Sequence, residues 1–209
     1  MYYSVGTGES KAEISVKHSK FIAFCSRVSD EDQAEDFVRA IKKRFSDATH
    51  APYAYVLGER ADKTRASDDG EPSGTSGVPI LETIKKANLT FTAVVVVRYF
   101  GGIKLGTGGL ARAYADAATE SVRAAGKSTF ERCVLFRIAC DYAYLSALQN
   151  QVYSFHGSIE KSDYGDTVSI CAAIPADRRE DFLSAVADVS SGKAVAEEGK
   201  EGFYEVEKC

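Results

Sequence analysis

The chain of 209 residues lacks a long apolar segment. Ala93–Val97 is as long a run as it has, against the ~20 apolar residues that a membrane-crossing helix needs. No membrane partner is therefore expected. Its first residues, Met1-Tyr2-Tyr3-Ser4-Val5-Gly6, carry neither a basic cluster nor an apolar core, so no secretory signal is expected either. The cysteines Cys25, Cys133, Cys140, Cys171 and Cys209 form no CxxC pair and no zinc-ligand spacing. Cys25 and Cys140 lie in apolar stretches, where a free thiol behaves as a small hydrophobe. All are read as reduced, structural thiols of a cytoplasmic protein. Walker-type Gly-x-x-x-x-Gly-Lys-Ser/Thr is missing, as are GxGxxG, GxSxG and HExxH. No nucleophile signature is left to assign.

Nor is there a strong excess of one charge. The composition is 44% hydrophobic and 27% charged, with a net charge of −4, as in ordinary globular proteins. The charge is unevenly spread, however. Met1–Phe130 holds 18 Lys+Arg against 16 Asp+Glu, a net of +2, and Glu131–Cys209 holds 8 against 14, a net of −6. A polyanion would favour the first part and be repelled by the second.

Periodicity divides the chain at the same place. Lys11–Val16 and Phe21–Val28 read as strands joined at His18-Ser19-Lys20. Ser29 is the expected N-cap of a helix whose apolar face is Ala34, Phe37, Val38, Ile41 and Phe45. Lys42, Lys43 and Arg44 complement its dipole. Pro52–Leu57 reads as a strand with Tyr53, Tyr55 and Leu57 on one side. Gly58–Thr75 reads as a long polar loop. A short helix over Gly77–Ala87 follows, capped by Ser76. The Val94–Val97 run, β-branched and without alternation, marks a central strand buried on both faces. A glycine loop over 101–109 feeds a helix from about Leu110 to Ala125. Lys127-Ser128-Thr129 reads as a linker. Beyond it, strand and helix patterns follow in the order βαββαβ of a ferredoxin-like sandwich. The expectation is an α+β protein of two domains, 1–130 and 131–209.

Two segments carry chemistry. In Asp68-Asp69-Gly70-Glu71-Pro72-Ser73-Gly74-Thr75, three carboxylates fall within four residues. They suit a divalent cation such as magnesium, a recognition loop, or a solvated turn that caps the next helix. EF-hand spacing is not met. The loop has no apolar anchor, so replacing Asp68 and Glu71 by Ala is expected to change stability by less than ~1 kcal/mol. The second segment is Arg98-Tyr99-Phe100 with the loop Gly101, Gly102, Lys104, Gly106, Thr107, Gly108 and Gly109, then Arg112 in the expected first turn. A glycine-rich strand-to-helix turn exposes N–H groups to anions, or lets a helix approach a sheet closely. His50 has no identified Ser, Cys or carboxylate partner, which is a weak basis for catalysis.

Together these residues resemble a known family. The stretches Asp68–Leu81 and Val95–Tyr114 are similar to the two signature blocks of the YigZ/IMPACT family, with Ser19-Lys20-Phe21 and Ala48-Thr49-His50 as shorter matches. The resemblance implies a first domain similar to the second domain of ribosomal protein S-five. It implies a second, ferredoxin-like domain similar to domain five of elongation factor G. It also implies a link to translation, since the eukaryotic relative IMPACT is a translation regulator that acts through a protein partner.

The leading functional expectation is an RNA- or ribosome-binding protein. Arg98, Lys104, Arg112 and the glycine-loop backbone would hold phosphate, with Tyr99 or Phe100 for stacking. A metal-assisted enzyme on a small phosphorylated or nucleotide ligand is the alternative, with Asp68, Asp69 and Glu71 holding magnesium. A protein–protein module contacting through the acidic loop is a third. Both motifs in one cleft would favour the enzyme, and both on an open sheet face would favour binding.

Overall fold

The computed structural model describes residues 1–208, with side chains to Val206. The chain divides into two compact units, Tyr2–Ser128 and Thr129–Glu207. The first holds β1 (Tyr2–Val5), β2 (Glu9–Val16), β3 (Ser19–Arg27), α1 (Glu31–Arg44), β4 (Tyr53–Leu57), β5 (Lys63–Ser67), α2 (Gly77–Lys86), β6 (Thr92–Tyr99) and α3 (Gly106–Ala125). Its sheet runs β2-β3-β6-β4-β5, all antiparallel.

Helices cover both faces of that sheet. Phe21, Ala23, Cys25, Ala54, Val56, Val94 and Val96 share a core with Ile80 and Ile84 of α2 and Tyr114 of α3. Their neighbours Ile22, Phe24, Tyr53, Tyr55, Val95 and Val97 share the other core with Ala34, Val38 and Ile41 of α1. Alternate residues of a strand point to opposite faces. A strand covered on both sides therefore reads as a continuous apolar run. This is why the valine run is central.

Several local expectations are corrected. The β2–β3 hairpin turns at Lys17-His18, not at 18–20, and both residues have positive φ, 44° and 67°. Asp30, not Ser29, caps α1, accepting from Gln33 N at 2.8 Å. The polar segment after Gly58 contains β5, an exposed edge strand with no apolar pattern to announce it. The segment 127–129 is not a linker but the start of β7 (Lys127–Cys140), with Ser128, Thr129 and Phe130 buried. The glycines at 106, 108 and 109 belong to α3, which starts four residues before Leu110.

The second unit continues with α4 (Tyr142–Ser154), β8 (Ser158–Tyr164), β9 (Val168–Pro175), α5 (Arg179–Ser190) and β10 (Val195–Lys208). The order is βαββαβ, and the strands lie β10-β7-β9-β8. Val134, Phe136, Ile138, Ile170 and Ile174 pack against Leu148, Val152, Phe182 and Val186. The α+β class and the two-part organisation are as expected. No helix among the described residues is long and apolar enough to cross a membrane. Cys25, Cys133 and Cys140 are buried, and burial pushes their thiols up, that of Cys133 to about 12. Cys209 lies outside the described residues.

The connection after β6 is held by a close approach. A Cβ on Gly101 would lie 2.1 Å from the His18 carbonyl carbon and 2.5 Å from Ser19 N. Gly101 N also donates to Ser19 Oγ at 3.2 Å. Gly108, in α3, has nothing within 4 Å of such a Cβ. Gly101→Ala is expected to cost ~1–3 kcal/mol by overpacking. Gly108→Ala should be neutral or stabilise by up to ~1 kcal/mol, since Ala is the better helix former. Urea denaturation of both variants checks the contrast, and equal losses would contradict it.

Candidate functional site: a cleft at the end of the central strand

Arg98 sits near the C-terminal end of β6, on the face of Val94 and Val96, and this parity turns it inward beneath α3. It is 6% exposed. A lone guanidinium there would be prohibitively costly, so it needs a partner. Its Nη1 donates to Glu71 Oε1 at 2.7 Å, and Tyr114 OH donates to the same oxygen at 2.7 Å. The guanidinium lies 5.5 Å from the Phe21 ring centre and 5.4 Å from that of Phe100, within cation–π range. Its Nε is buried and has no partner among the described residues. Burial first, and the hydrogen bond to Glu71 second, push the Tyr114 phenol far up, so it remains a donor.

The acidic segment is thus not a solvated loop without anchors. Each of its carboxylates has a different task. Asp68 accepts from Gly74 N, Ser76 N, Ser76 Oγ and Gly77 N at 2.7 to 3.0 Å. It caps α2 from eight residues upstream, and the Ser76 side chain makes no capping bond. Burial alone would raise the Asp68 carboxyl, but these four hydrogen bonds outweigh it and hold the group below the usual range. Asp69 pairs with Lys42 at 2.5 Å and accepts from Ala51 N at 2.8 Å. Glu71 is the buried counter-ion of Arg98. The three carboxylates do not converge, and among the described residues no group of three His, Cys, Asp or Glu is placed to hold a metal. Asp68 and Glu71 are thus bonded structural groups, and a small stability effect on replacing them does not fit their contacts.

Above Arg98 opens a cleft of about 460 Å³. Glu71 and Pro72 line one side, Thr49 and His50 a second, and Lys104, Gly106 and Thr107 a third, with Phe100 alongside. The third side is the start of α3. Its N-cap residue, Leu105, makes no side-chain cap, and no acidic residue occupies its first turn. The first N–H groups of a 20-residue helix are thus left for solvent or a ligand, beside the exposed Lys104. Across from them, His50 is held by its backbone, Arg98 N donating to His50 O at 2.8 Å. Its Nδ1 lies 2.9 Å from Asp69 O. A Cβ on Gly70 would come within 3.1 Å of the ring, so Gly70 is what lets the imidazole seat there.

Of the residues picked out from the sequence, His50, Glu71, Arg98, Lys104, Gly106 and Thr107 come together. Asp68, Asp69, Gly101, Gly102, Gly108 and Gly109 are outside the lining. Tyr99 turns its OH to Asp47 at 2.9 Å, and that hydrogen bond raises its phenol. Arg112 is exposed and stands in the second turn of α3, not the first, because the helix starts earlier than its glycines suggested. Tyr114, which the expected phosphate-binding set leaves out, also belongs to the site through its bond to Glu71. A tyrosine at a fully buried position needs a partner for its hydroxyl, and that was the available signal.

The architecture and the cleft define a class: a two-unit α+β protein whose first unit offers helix N–H groups and a lysine around a buried, neutralised arginine. Residues 17–122 match the Impact N-terminal domain, and residues 138–193 match a domain of unknown function, DUF1949. The chain is 37% identical over 193 residues to IMPACT family member YvyE of Bacillus subtilis (strain 168), covering 92% of this chain and 89% of that one. It is 33% identical over 179 residues to IMPACT family member YigZ of Escherichia coli (strain K12), covering 85% and 88%. A solved structure described as that of a hypothetical protein aligns with TM-score 0.59 at 28% identity, over 95% of this chain and 97% of that one. The chain belongs to the IMPACT family.

Two outcomes follow from the carboxylates. Glu71→Ala leaves Arg98 buried and unpaired and should cost ~3–5 kcal/mol. Glu71→Ala together with Arg98→Met should recover much of that loss; a double variant as unstable as the sum of the two single changes would refute the pairing. For Asp68 the folded group is depressed. Its contribution is therefore complete above its unfolded pKa, ~3.9, and is lost as pH falls through the lower folded value. Below about pH 4 the stability of the parent should fall more steeply than that of Asp68→Asn. Urea midpoints measured across acidic pH check the difference.

Proposed function

We propose that this protein binds RNA or the ribosome in translation or its regulation, seating one phosphate in the cleft of its first unit. The observation that carries this is the uncapped N-terminus of α3, opening beside Lys104 into the cleft. Aligned N–H groups and the helix dipole favour an anion there, and Lys104 adds a mobile charge. Phe100 is 47% exposed next to this point and offers a ring face on which a base can stack. Membership of the IMPACT family supports the link to translation. The net charge of the second part, −6 over Glu131–Cys209, disfavours a polyanion there, which supports assigning the affinity to the first.

A second reading has an observation of its own. The two signature segments share a cleft and are not spread over an open sheet face, the arrangement expected to favour an enzyme on a small phosphorylated or nucleotide ligand. Filter binding of single-stranded RNA at several salt concentrations separates the two. For the RNA reading, log affinity should fall with log salt, and Lys104→Ala should flatten the slope by ~0.7, the share of one single-strand phosphate. Arg112→Ala, outside the cleft, should keep the parent slope in the cleft-bound mode. RNA binding no tighter than that of a mononucleotide, or a Lys104→Ala slope equal to the parent's, would move the assignment to the small ligand.

A further inference from the structure

We infer that the cleft selects a ribose phosphate, and that His50 is the residue that reads the sugar hydroxyl. The inference rests on the phosphate reading above and adds the chemical class of what carries the phosphate. It starts from the donors and acceptors that face the cleft. The α3 N–H groups, Lys104 Nζ and the Arg98 guanidinium only donate. Arg98 also lines the cleft; it is nine-tenths buried, and its Nε, a buried atom, has no partner among the described residues. Such a group calls for an explanation beyond packing. One carboxylate, Glu71, reaches the lining, and its Oε1 already accepts from Arg98 and Tyr114.

His50 supplies a further acceptor. Asp69 O can only accept, so the Nδ1 at 2.9 Å must donate to it. In the neutral ring that leaves Nε2 with a lone pair and no N–H. The bond to Asp69 O holds the ring by its Nδ1 edge, where Gly70 leaves it room, and Nε2 has no partner among the described residues. A ligand that satisfies the cleft therefore needs an anionic group for the α3 N–H groups and Lys104, and a hydroxyl hydrogen for His50. A ribonucleotide carries both, and a deoxyribonucleotide lacks the 2′-hydroxyl, the group by which proteins tell RNA from DNA. The source is either a residue of an RNA strand or a free ribonucleotide.

The test compares oligouridylate with oligodeoxyuridylate, and uridine monophosphate with its deoxy counterpart, on the full chain. One hydrogen bond predicts a preference for the ribose form of about two- to tenfold. In His50→Asn the side-chain amide can keep the donor at the Nδ1 position while the Nε2 acceptor is gone. In His50→Gln an amide oxygen can reach the Nε2 position. The preference should vanish in His50→Asn with affinity for the deoxy form unchanged, and return at least in part in His50→Gln. Preference in the oligonucleotide pair alone assigns an RNA strand; preference in the mononucleotide pair assigns a free ribonucleotide. Equal affinity for both sugars in the parent, or an unchanged preference in His50→Asn, overturns the inference. If both sugars bind equally and Lys104→Ala weakens both, the phosphate reading survives and only the role of His50 falls. If no phosphorylated probe binds, both fall.

Discussion

The ion pair between Arg98 and Glu71 organises the first unit. A guanidinium under a helix, with 7% of its side chain exposed, is tolerable only with its counter-ion in place. That requirement pulls the acidic segment down onto the sheet end, and Tyr114 draws α3 to the same oxygen. Three elements distant in sequence thus meet at one atom. The cost of breaking such a pair is the cost of a charge left buried, which is why the loop takes one position.

The cleft is a consequence of that closure. With Glu71 held at its floor, the remaining carboxylates serve the frame. Asp68 ties the segment to the start of α2, and Asp69 ties it to α1 and to the residue after His50. The segment that looks most like a metal site is therefore spent on structure. What remains for a ligand is the opposite kind of chemistry: N–H groups at the start of α3, a lysine, and a histidine pinned by its other nitrogen. The neutralised Arg98 shapes the floor without dominating the field.

Glycine makes this possible at two points. Gly101 lets the chain pass over the β2–β3 turn at a distance no side chain allows, which delivers the backbone to the start of α3. Gly70, with φ of 88°, lets the imidazole of His50 sit against the loop. Both are constraints of contact between segments far apart in sequence.

The sequence by itself determined the α+β class, the order of elements in the second unit and the central place of the valine run. These depend on periodicity and β-branching, which are local properties of the chain. It also singled out Glu71, Arg98, His50 and the start of α3 as chemically unusual. Tertiary structure alone decided what they do. Whether a carboxylate is solvated, caps a helix or neutralises an arginine depends on which distant group stands within 3 Å of it. Spacing along the chain carries no record of that distance. For the same reason β5, an edge strand with polar residues on both faces, left no periodic trace, and Arg112 and Tyr99 turned away from the cleft that their neighbours line.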